Sequence, residues 1–81
     1  MSKPKTAATP DTRALDRLLE EFRELHARVG SNLAKIARVP RFSDAYHDRL
    51  AVLYSQLTLA KFLADELQKE MNRLDDQLPA D

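Results

Sequence analysis

Cysteine and tryptophan are absent from this chain, and glycine occurs once, at Gly30. Without cysteine there is no disulfide framework and no thiolate metal site, a composition that fits a reducing compartment. One glycine, three phenylalanines and two tyrosines in 81 residues leave too few turn and strand formers for a β architecture. Charge of one sign is also missing: 13 basic residues balance 13 acidic ones, so no global field favours nucleic acid or membrane. Long apolar runs are lacking too. The stretch from Leu50 to Ala60 already contains Ser55, Gln56 and Thr58, whereas a bilayer needs about 20 apolar residues. Behind Lys3 and Lys5, residues Pro4, Thr6, Thr9 and Pro10 stand where a secretory leader needs an apolar segment. The chain reads as cytoplasmic.

What is present is helical periodicity. Residues 1–8 are polar and contain a proline, and read as a disordered tail. Thr9-Pro10-Asp11 is a helix start, with Thr9 as cap and Pro10 in the first helical position. Apolar residues then recur at Leu15, Leu18, Phe22, Leu25, Val29 and Ile36, at heptad spacing. Leu19, His26 and Leu33 widen the stripe toward that of a bundle helix. Gly30-Ser31-Asn32 admits two readings: a continuous helix with a soft spot, or an end near Val29 with Ser31 capping a short second helix. Leu33 and Ile36 keep the register set by Val29, which favours continuity. Asn32 fills a seam slot. It reads as a weak point or solvent-facing residue, or, more sharply, as a polar register device.

Val39-Pro40 ends the first helix, because a residue before proline is pushed out of helical angles. Ser43 and Asp44 restart one. The expected fold is all-α: one domain over 9–78, an antiparallel two-helix hairpin that dimerises into a four-helix bundle. Helix 1 covers about 10–38, the turn 39–43 and helix 2 about 44–78, with 79–81 as a second tail. On helix 2 the seam is Tyr46, Leu50, Leu53, Leu57, Ala60, Ala64, Leu67, Met71, Leu74 and Leu78, with Pro79 as the stop. A turn centred near residue 41 puts Ile36 opposite Tyr46 and Phe22 over Ala60, with Glu21 near Lys61 and Arg17 near Asp65.

Helix 2 is apolar on more than one face. Leu19, Leu33, Val52, Leu59, Phe62 and Leu63 lie off the seam, an apolar surface that marks an interface with a partner. The partner is a second copy of the chain, or else a different helical protein. Residues 28–49 carry Arg28, Lys35, Arg38, Arg41 and Arg49 against Asp44 and Asp48. The turn end is therefore basic, and Lys35, Arg38 and Arg41 form a candidate anion-binding tip. Helix-dipole compensation explains the same residues without a ligand. No helix-turn-helix, zinc-finger or RNA-binding motif accompanies them, so nucleic acid is the lesser reading.

No catalytic, cofactor-binding or metal site is assigned. His26 and His47 have no second histidine at helical spacing, and the carboxylates read as a solvated helix face. The expected function is non-enzymatic: a protein–protein interaction module acting as adaptor, small chaperone or regulator. A hetero-complex subunit and a nucleic-acid-binding regulator are the alternatives. No motif marks a family. In architecture alone the chain resembles small bacterial helical hairpins, such as plasmid-copy-number RNA-binding dimers and the cochaperones of type III secretion needles.

Overall fold

The structure, a computed structural model, describes residues 11–77. It contains two helices, α1 (Arg13–Arg38) and α2 (Asp44–Gln77), packed side by side as a hairpin.

The expected start at Thr9-Pro10 lies outside the described residues, and the helix itself begins at Arg13. Asp11 supplies the first cap: its carboxylate accepts the Arg13 backbone N–H at 3.0 Å. Thr12 occupies the capping position without a side-chain cap bond, and its hydroxyl donates instead to the Asp16 carboxylate at 3.1 Å. From there α1 runs unbroken through Gly30. A helix can carry one glycine at a cost of about 1 kcal/mol when its other side chains are anchored, and Leu25, Val29, Asn32 and Ile36 on both sides of Gly30 all face inward.

Val39 is extended (φ −91°, ψ 151°), as the following proline requires. Ser43 then closes the turn and opens α2. Its hydroxyl donates to the Pro40 carbonyl at 2.6 Å and accepts the Tyr46 backbone N–H at 3.1 Å, satisfying one of the orphan donors of the helix start. Between them Phe42 adopts φ 65°, a left-handed conformation that side chains with a Cβ adopt at a cost.

Along α1 the inward residues are Leu15, Leu18, Phe22, Leu25, Val29, Asn32 and Ile36. On α2 they are Tyr46, Arg49, Leu53, Gln56, Ala60, Leu63, Leu67, Glu70 and Leu74. One heptad column, from Tyr46 to Leu74, is the expected one. The other is displaced by one residue. Arg49, Gln56, Leu63 and Glu70 face α1, and Leu50, Leu57 and Met71, expected in the seam, are exposed, with Ala64 half-buried. Leu63, expected on the outer interface, is buried in the seam at 4% exposure.

Asn32 accounts for this rotation. It is 3% exposed, and its amide donates to the Arg49 backbone carbonyl at 3.0 Å and reaches the Gln56 side-chain oxygen at 3.4 Å. Leucine in place of Gln56 would leave the buried amide short of a partner, at a cost of about 1–3 kcal/mol. Arg49, Gln56 and Glu70 are half-buried at the seam edge, where the Gln56 oxygen meets the Asn32 amide and Glu70 pairs with Arg73.

The same contacts correct the register. Asn32 lies between Arg49 and Gln56, opposite Leu53 rather than residue 50. Counting in heptads, Leu25 falls opposite Ala60 and Phe22 opposite Leu63. Leu25, at 2% exposure, is the most enclosed side chain, so a large residue still meets a small one, one layer from where it was expected. The expected cross-helix pairs Glu21–Lys61 and Arg17–Asp65 give way to pairs within each helix, Arg17–Glu21 at 4.0 Å and Asp65–Lys69 at 3.1 Å. At the open end Arg73 ties the helices together. It pairs with Glu70 on its own helix and donates to the Asp11 carbonyl at 3.2 Å.

Candidate interaction surface

Antiparallel heptad helices place the residue after each d position of one helix beside its counterpart on the other. On α1 these flanking residues are Leu19, His26 and Leu33; on α2 they are Leu50, Leu57, Ala64 and Met71. The rotation of α2 therefore brings both sets to the same side of the seam. Leu33 falls level with Leu50 and Leu57, His26 with Leu57 and Ala64, and Leu19 with Ala64 and Met71. Leu19, Leu33, Leu57 and Met71 each keep about half their surface in contact with solvent. His26 is the only ionisable group in the strip.

The opposite flank is mixed. Val52, Leu59 and, further out, Phe62 are exposed there on α2. The α1 column beside them is Ala14, Glu21, Arg28 and Lys35, mostly charged. Thus the off-seam residues expected to form one interface divide. Leu19 and Leu33 join the uniform face, Val52, Leu59 and Phe62 lie on the mixed one, and Leu63 is in the core. Sequence periodicity missed Leu50, Leu57 and Met71 as surface residues; the signal lay in Asn32, whose polar partner had to come from the neighbouring column.

The tip is exposed and cationic. Lys35 and Arg38 lie in the last turn of α1, where the helix dipole is negative, and Arg41 comes next in the turn. None of the three has an ion-pair partner among the described residues. Phe42 projects beside them at 78% exposure, its ring edge-on to Tyr46 with centroids 5.8 Å apart. The dipole accounts for Lys35 and Arg38, and the tip gathers no second feature that would select a ligand.

Hydrogen bonds from Arg13 hold the Asp11 carboxyl down at about 2, and the hydrogen bond from Arg73 lowers Glu70. Among the described residues there is no cavity and no cluster of side chains able to hold a metal ion, and no helix is long and apolar enough to cross a membrane. No family model, curated protein or solved structure matches the chain.

Proposed function

We propose that the chain is a protein–protein interaction module whose partner is a second copy of itself, docked through the face formed by Leu19, His26, Leu33, Leu50, Leu57, Ala64 and Met71. One observation carries this reading: apart from His26, the face is apolar across both helices. In the described residues only Leu25, Leu63 and Leu74 are buried hydrophobic side chains, whereas ten large hydrophobics are exposed. Stacking two such faces yields a four-helix bundle with a second seam. The mixed flank is the weaker candidate, because a partner seated there would bury Arg28 and Lys35, which have no ion-pair partner among the described residues, and burying unpaired charge is costly. Two-fold dimers are the commonest oligomers, and a single self-complementary face suffices to form one.

Light scattering or sedimentation at micromolar concentration tests the proposal. The expected mass is about twice the 9.3 kDa of one chain. A well-folded species at the single-chain mass would overturn it.

A further inference from the structure

The rod is electrically lopsided along its length. Between residues 28 and 60, five basic residues (Arg28, Lys35, Arg38, Arg41 and Arg49) face two acidic ones, Asp44 and Asp48. At the open end, residues 11–27 hold three basic against five acidic residues, and residues 61–77 hold three against five again. The described turn half is thus net plus three and the open half net minus four. The ion pairs follow the same division. Each of them lies in the open half, from Asp11–Arg13 to Glu70–Arg73, and none of the five cations of the turn half is paired among the described residues.

Two flat hairpins stacked face to face can obey two-fold symmetry in two ways. With the axis along the rods, both turns lie at the same end and α1 covers α2 of the second copy. With the axis across the rods, the turns lie at opposite ends and each helix covers its own counterpart, antiparallel. The first arrangement sets plus three against plus three and minus four against minus four. The second sets each basic turn half beside an acidic open half. Stacked helices have axes 8–10 Å apart, about one Debye length at physiological salt, so these fields are felt across the interface. The apolar strips permit the second arrangement, because their midpoints coincide. His26 is central on α1, and on α2 the centre falls between Leu57 and Ala64, at nearly the same height along the rod.

We infer that the second copy docks head to tail, with the two-fold axis crossing the rods near His26, so that the basic turn end of each copy lies on the acidic open end of the other. This inference rests on the dimer proposed above and specifies its geometry. Leu33 of each copy is then level with Leu19 of the other, and His26 lies beside its own counterpart. Leu33 is separated from its counterpart by about 14 helical residues, or roughly 21 Å. A disulfide needs Cα atoms within about 7 Å.

The absence of native cysteine makes the test direct. Single-cysteine chains H26C, L19C, L33C and L50C are oxidised alone and in mixed pairs, and the products are read on non-reducing gels. Head-to-tail docking predicts that H26C links to itself and that L19C links to L33C, while L33C and L50C chains do not link to each other. Linkage of L33C to L50C chains without linkage of L19C to L33C overturns the inference and leaves the dimer standing. A single-chain mass for the unsubstituted protein removes the dimer itself. Salt gives an independent readout that needs no substitution. Head-to-tail docking predicts that Kd rises several-fold as sodium chloride increases from about 0.02 to 0.3 M, as opposite fields are screened. The same-end arrangement repels itself and predicts the opposite sign.

Discussion

Replacing Asn32 with leucine is expected to make the protein more stable and less well specified. The side chain is 3% exposed, its Oδ1 has no hydrogen-bond partner, and its amide bond to Gln56 is long at 3.4 Å. An orphaned buried acceptor costs about 1–3 kcal/mol. The bond at 3.0 Å to the Arg49 carbonyl returns about 1 kcal/mol, and losing it strands nothing, because that carbonyl lies inside α2 where the helix ladder already supplies a donor. Gln56, half-buried at the seam edge, can turn its oxygen to water. Leucine adds apolar burial opposite Leu53. The net expectation is a gain of about 1–2 kcal/mol, or a Tm rise of roughly 4–16 °C for a domain of this size. Thermal unfolding by circular dichroism at matched chain concentration measures it.

The cost appears in uniqueness. With Asn32 gone, no buried amide opposes rotating α2 by one position so that Leu50, Leu57 and Met71 turn inward. Cross-linking or NMR of Asn32→Leu should then report more than one helix register or mass. Asn32→Asp gives the complementary result: a carboxylate facing the Arg49 carbonyl and the Gln56 oxygen, destabilised by more than ~2 kcal/mol. A lower Tm for Asn32→Leu, or equal stability for Asn32→Asp, would refute the view that this residue sets the register from a buried, half-satisfied position.

Gly30→Ala is expected to gain about 0.5–1 kcal/mol, because a Cβ there meets nothing within 4 Å and alanine is the better helix former; chemical denaturation measures the shift. Phe42→Gly should be neutral or stabilising by up to ~1 kcal/mol despite the loss of an aromatic ring, since φ 65° suits glycine and the ring is mostly in water; a loss above ~1 kcal/mol would show that the stack on Tyr46 outweighs the backbone strain. Leu33→Glu removes two half-exposed leucines per dimer, roughly 2 kcal/mol, and adds two buried carboxylates, so Kd should rise at least ~30-fold while Phe62→Glu on the mixed flank leaves the mass unchanged in sedimentation. The Asp11 carboxyl is lowered from 3.8 to about 2 when folded and the Glu70 carboxyl is lowered below 4.5, so each contributes stability above its ordinary value that is lost as pH falls through the lowered one; both pairs are solvent-exposed and the effect on Tm is small, and it should vanish in high salt.

How far the fold could be read from sequence turns on a single column of α2. The column Tyr46, Leu53, Ala60, Leu67 and Leu74 is apolar throughout and has no competitor, so heptad counting finds it. The turn is equally legible, since Pro40 fixes where α1 must stop and Ser43 offers the only hydroxyl placed to cap α2. The second column had two candidates one residue apart: Leu50, Leu57, Ala64 and Met71, or Arg49, Gln56, Leu63 and Glu70. Hydropathy alone chooses the first, and in an isolated two-helix seam that choice maximises apolar burial. Asn32 reverses it, because a buried amide needs a polar neighbour and only the second column supplies Gln56. The apolar column is thereby left on the surface beside Leu19 and Leu33. A polar seam residue that displaces four apolar residues outward has a physical rationale only if those residues are covered by something else. In a lone hairpin the exposed strip opposes folding; in a pair of hairpins it is the second seam. The position of Asn32 in the first seam and the existence of the outer face are thus one feature, and the register that leaves apolar residues exposed on a single hairpin is the one that suits the proposed four-helix bundle.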